Sequence, residues 1–210
     1  TPSTGGQNKY KINSGYATSL YLGQPVQYDT AGGANTDPGY VISGQDAITR
    51  PTVGVFNGCF YTDANTNKPT FSSFFPRTTA PANAEDIDAF IIDNPFQQYN
   101  VQLSTRLAAT AILAQAQMGK TLGLTVSALG AGSATSGSTI SGQSNSQLTV
   151  GGSTGVANQW RLLRSAEDPE NEDLITLPQL NPALAAFSGL ATVVVVANQS
   201  QWFGTGQVSA

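Results

Sequence analysis

The chain has no histidine among its 210 residues, a single cysteine, and charged side chains at only 10% of positions. Without histidine, a Ser-His-Asp or Cys-His nucleophilic site cannot be built within this chain, and neither can a His-ligated metal site. Cys59 alone cannot close an internal disulfide or join a cysteine cluster. It reads as a small buried hydrophobe. Nine basic residues stand against thirteen acidic ones, a net charge of −4. The nine are scattered, so there is no nucleic-acid footprint. No apolar run approaches the ~20 residues that span a membrane. The opening Thr1-Pro-Ser-Thr-Gly-Gly6 carries neither a charged nor an apolar region, so no secretory signal is expected.

Hydrophobic residues make up 40% of the chain, enough for an ordinary core without staples. The charged share is well below the usual ~25%. With 22 glycines and 11 prolines, the polar surface falls to Ser, Thr, Asn and Gln. Such a surface suits a chain that pairs strands and packs against neighbours.

Period-2 alternation recurs along the sequence. Strands are expected over 18–28, 40–42, 52–61, 88–93, 97–103, 122–128, 160–163 and 192–197, the last a run of four valines without alternation. Phe71 to Phe75 forms a second aromatic segment, joined to 52–61 by the turn Asp63-Ala-Asn-Thr-Asn67 as a hairpin. Gly54 and Gly58 beside its rings suggest a bulge or a close backbone approach. Short strands are expected around Ser138–Ile140 and 147–150. One helix is expected near 106–118, with a stripe of Leu107, Ala111, Ala114 and Met118. Gly119 would stop it, and Lys120 would face its negative end. The fold class is therefore mainly β: a sandwich or barrel-like body with one short inserted helix. Residues 1–17 read as a flexible N-terminal arm and 18–210 as a single β-rich domain.

Motifs that imitate chemistry fail on spacing. Gly119-Lys120-Thr121 resembles the end of a Walker A loop, but Ala114 stands where that pattern needs glycine. Glu85, Asp86 and Asp88 are adjacent, whereas glycoside hydrolysis needs two carboxylates facing across a cleft. Glu167 to Asp173 packs five carboxylates into seven residues but lacks the EF-hand ladder and its turn glycine. It reads as a solvated loop, with a cation site as the other reading. Tyr61, Phe71, Phe74 and Phe75 form either a core beneath the hairpin or a sugar-stacking platform. No catalytic residue, metal ligand or cofactor is assigned.

Several segments together resemble a known family. Thr52-Val-Gly-Val-Phe-Asn-Gly-Cys-Phe-Tyr-Thr-Asp63 is followed by Phe71-Ser-Ser-Phe-Phe-Pro76, then by Asp88-Ala-Phe-Ile-Ile-Asp-Asn-Pro95. Trp160-Arg-Leu-Leu-Arg164, the acidic stretch and the valine strand complete the pattern over about residues 50 to 200. This succession is similar to the capsid decoration (cement) proteins of tailed bacteriophages, which are encoded beside the major capsid protein. The resemblance implies a structural virion protein with no enzymatic activity. It would be made in the host cytoplasm, bind the outer surface of the capsid, cement neighbouring capsomers and stabilise the shell. Its partners would be the major capsid protein and copies of itself, in a homotrimer, with no nucleic acid and no membrane. Lys9, Tyr10 and Lys11, at the end of the arm, are the candidate capsid contacts. Val194 and Val195 are the candidate oligomer contacts, because valines on both faces of one strand must both be covered. The other reading is a phage tail or fibre component, or a carbohydrate-binding β module.

Overall fold

The computed structural model describes residues 6–29, 39–44, 52–76, 87–103, 118–126, 137–150, 159–166 and 192–198. Within them the chain is β-structured, with eleven strands in two antiparallel sheets and no helix. The expected helix lies, apart from Met118, outside the described residues, as do Glu167–Asp173 and 177–191. The chain divides into two compact units. One comprises Thr1–Asn94 and Ala128–Asn145, the other Pro95–Ser127 and Ser146–Ala210. The single body expected from residue 18 onward is thus subdivided, and its first unit begins before residue 18.

The first unit contains β1 (Asn8–Lys11), β2 (Pro25–Tyr28), β3 (Val41–Ser43), β4 (Gly54–Thr62), β5 (Pro69–Ser72) and β6 (Asp88–Ile92). Their order is β1-β6-β4-β2-β3, with β5 paired to the far half of β4. The sheet curls until its outer strands approach each other. Lys11 bridges Tyr40 in parallel, and the Lys11 N–H donates to the Gly39 carbonyl at 2.7 Å. Inside the curl lies an apolar core that includes Ile12, Val26, Val41, Phe56, Phe75 and Ile91.

β4 is interrupted by the kind of bulge that its glycines suggest. An extra residue sits between the pairs Phe56–Ile91 and Cys59–Ala89. This bulge, at Asn57 and Gly58, reverses the in-out phase halfway along the strand. Phe56 and Cys59 therefore both lie in the core, while Phe60 turns outward. The hairpin to β5 forms as expected. Asp63 Oδ1 accepts from the N–H groups of Asn65 and Thr66 at 2.7 and 3.0 Å, and these bonds hold its carboxyl below the usual range.

The N-terminal region differs from the expected arm. Asn8–Lys11 is an edge strand laddered to β6, and both Tyr10 and Ile12 are buried. The β-period here is one turn of alternation long, with lysines flanking a single tyrosine. That is too short to stand out in the sequence. Ser138–Ile140 is likewise a turn rather than a strand. Ser138 Oγ accepts from the Ile140 and Ser141 N–H groups at 3.3 Å, and Ile140 projects into solvent.

The second unit contains β7 (Gln98–Gln102), β8 (Thr121–Val126), β9 (Ser146–Val150), β10 (Trp160–Ser165) and β11 (Thr192–Ala197), ordered β7-β11-β10-β8-β9. β11 is flanked on both sides, as its uninterrupted valines predict. Leu103 bridges Leu148 in parallel, so this sheet also curls back on itself. Trp160 packs edge-on against Tyr99, with centroids 5.6 Å apart.

Candidate functional site

Three of the segments that carry the family resemblance fall on adjacent strands. β4 lies between β5 and β6, so Thr52–Asp63, Phe71–Pro76 and Asp88–Pro95 form one continuous surface. On its outward side Phe60 sits directly opposite Phe71. Phe71 is 64% exposed and Phe60 40%. The Phe71 ring lies 6.0 Å from that of Phe90, tilted by 43°. Gly58 makes this possible. Its φ of +128° is open to glycine, and a Cβ there would meet Phe71 Cζ at 2.9 Å. The aromatic ring thus lies across bare backbone.

Sequence reasoning singled out Phe71 but not Phe60 or Phe90 in this role. The signal available was the Asn57-Gly58 pair, which marks the bulge that turns Phe60 outward. Of the other proposed platform rings, Tyr61 and Phe75 are core, and Phe74 stacks on Tyr21 at 5.9 Å. Cys59 is fully buried, and burial pushes its thiol up to about 12, as suits a packing residue and not a nucleophile.

Beside the rings lies a charged strip. Lys9 Nζ reaches Asp88 Oδ2 at 2.5 Å and Lys11 Nζ reaches Asp88 Oδ1 at 2.7 Å. Burial of Asp88 works against its charge, but the hydrogen bonds from Lys11 and Lys9 prevail and hold the carboxyl below its usual range. Both lysine side chains remain accessible, whereas Asp88 is largely covered.

Tyr10 points the other way. Its hydroxyl donates to Asp93 Oδ2 at 2.7 Å, and Asn8 Nδ2 donates to both Asp93 oxygens at 3.0 and 2.8 Å. Burial, reinforced by the bond to Asp93, drives the Tyr10 pKa well upward. Of the three candidate contacts, Lys9 and Lys11 therefore present cations outward, and Tyr10 anchors β1 to the core. Val194 and Val195 are 3% and 0% exposed within one chain, so no second chain is needed to cover them. Glu85, Asp86 and Glu167–Asp173 lie outside the described residues. Among the described residues, no group of His, Cys, Asp and Glu could hold a metal ion. Gly119-Lys120-Thr121 opens β8 rather than a helix, which removes the context a phosphate loop requires.

No protein-family model, no curated protein and no solved structure matches the chain.

Proposed function

We propose that the protein is a structural component of a tailed-phage virion. It decorates the outer capsid surface, binds the major capsid protein as a homotrimer and cements neighbouring capsomers, without catalysis. The observation that carries this reading is the assembly of three of the resembling segments into one outward surface, with Phe60, Phe71 and Phe90 beside Lys9 and Lys11. Solvent-facing rings contribute little to the stability of an isolated chain but supply anchors at an interface. A sparse surface charge lets such contacts form with little desolvation of ions. The trimer rests on the family resemblance alone.

The second reading, a tail or fibre component or a carbohydrate-binding β module, draws on the same exposed rings, since Phe71 could stack on a sugar face. One experiment separates the two. Purified protein is added to expanded capsids that lack it, and occupancy is measured by electron microscopy for the unsubstituted chain and for Phe71→Ser. Saturable binding that falls at least ~10-fold in the variant, about 1.4 kcal/mol, supports the cement reading. No binding to capsids, with retention on a glycan array, would replace it by the second.

A further inference from the structure

The two sheets follow one plan. The ring strands of the first unit are β1, β2, β3, β4 and β6 in chain order; those of the second are β7, β8, β9, β10 and β11. Counted one to five within each unit, both sheets run first-fifth-fourth-second-third. In both, a parallel bridge joins the region of the first strand to that of the third. In both, the fourth strand carries one extra residue against the fifth, after Phe56 in β4 and after Leu162 in β10.

Matching the two bulges fixes a residue-by-residue correspondence. Phe56 opposite Ile91 falls on Leu162 opposite Val195. The ladders then carry the match round each ring. β1 against β6 places Asn8 on Tyr99. β2 against β4 places Val26 on Leu122. β2 against β3 places Val41 on Leu148.

The closing bridge played no part in that match, so it is an independent check. Lys11 with Tyr40 falls on Gln102 with Gln147, whose side chains are hydrogen-bonded at 2.7 Å. The bridge between Leu103 and Leu148 is one step further along in the same register. A slip of one residue in any ladder would have broken this agreement.

The turn before the second strand gives another check. The Gly23 N–H donates to the Phe56 carbonyl at 2.9 Å, and the Phe56 N–H to the Gln24 carbonyl at 2.9 Å. At the matching place the Gly119 N–H donates to the Leu162 carbonyl at 2.8 Å, and the Leu162 N–H to the Lys120 carbonyl at 2.9 Å. Gly23 has φ +83° and Gly119 +80°, a region that glycine enters freely and other residues avoid.

We infer that the chain is an internal duplication of one five-stranded, self-closing unit. The inward positions keep apolarity and lose identity: Val26, Val41, Phe56 and Ile91 are buried in one copy, as are Leu122, Leu148, Leu162 and Val195 in the other. The outward rings are peculiar to the first copy. Phe60 and Phe90 fall on Ala166 and Val194, so the plan closes without aromatic residues there.

Nuclear magnetic resonance on the full chain tests the duplication. In the unsubstituted protein, cross-strand Overhauser contacts should link Gly23 to Phe56 and Gly119 to Leu162. Gly23→Ala should speed amide exchange at Phe56 about tenfold, from the cost of a left-handed alanine, and leave Leu162 within about twofold. Gly119→Ala should do the converse. Absence of either set of contacts, a ladder displaced by one residue, or an alanine variant that leaves its own partner amide unchanged overturns the inference.

Discussion

Asp93→Ala would expose how β1 is held in the first sheet. The Asp93 carboxylate is 6% exposed and accepts from Tyr10 and Asn8. Asn8 is solvent-exposed, so its amide can turn to water when the carboxylate is removed. The Tyr10 hydroxyl cannot, because its side chain is packed in the core. A hydrogen bond to a charged acceptor contributes about 1.5–3 kcal/mol, and a stranded buried hydroxyl costs about 1–3 kcal/mol. Asp93→Ala should therefore destabilise the unit by about 2–4 kcal/mol, and Tyr10→Phe by about 1.5–3 kcal/mol. The double variant leaves no orphaned donor and should cost less than the sum, with a coupling of at least ~1 kcal/mol. Urea unfolding followed by far-ultraviolet circular dichroism measures all four proteins, with amide exchange in Asn8–Lys11 reporting β1 itself. Additive costs, or β1 amides exchanging at coil rates in the unsubstituted protein, would refute the anchoring.

Two further outcomes follow from named groups. Asp88 has a lowered pKa in the folded chain, so its contribution is present above the unfolded value of about 3.9 and is lost as pH falls through the folded value. Asp88→Asn should flatten the acid limb of the stability curve, and an unchanged limb would show that the lysines do not stabilise the folded carboxylate. Gln27 is buried in β2 with neither its amide nitrogen nor its oxygen partnered. Gln27→Met should raise stability by about 1–2 kcal/mol, because it removes two uncompensated polar atoms at similar volume; an equal or lower urea midpoint would contradict this.

The strands that were legible in the sequence are those with several alternations in a row. Gln98 to Leu103 and the hairpin through Asp63–Asn67 carry their own local signals, and the four valines of β11 announce burial on both sides. β1 was not legible, because Tyr10 becomes a core residue only through a strand some eighty positions away. Gly119 has a positive φ in the turn into β8, while the helix it is expected to stop lies outside the described residues. The aromatic surface depends on a bulge that Gly58 signals within β4, but the change of phase it causes is set by pairing with β6. At the interior positions the duplication left little trace in residue identity, because a ring interior requires apolar volume, and Val26 serves that need as well as Leu122; the turn glycines Gly23 and Gly119 are the exception.

Residues 128–145 belong to the first unit although the chain lays them down between β8 and β9 of the second. Leu22 donates its N–H to the Gly142 carbonyl and accepts from the Ser144 N–H, so this segment completes the border of the first ring. On the ribosome, β6 is finished roughly fifty residues before that segment is synthesised, an interval of about 3–10 s at ordinary elongation rates. By its end the nascent chain carries β7 and β8 without β9 to β11, their ring partners. Neither ring can finish as a contiguous block, and translation speed across 93–145 governs how long unpaired strand edges stay exposed to neighbouring nascent chains.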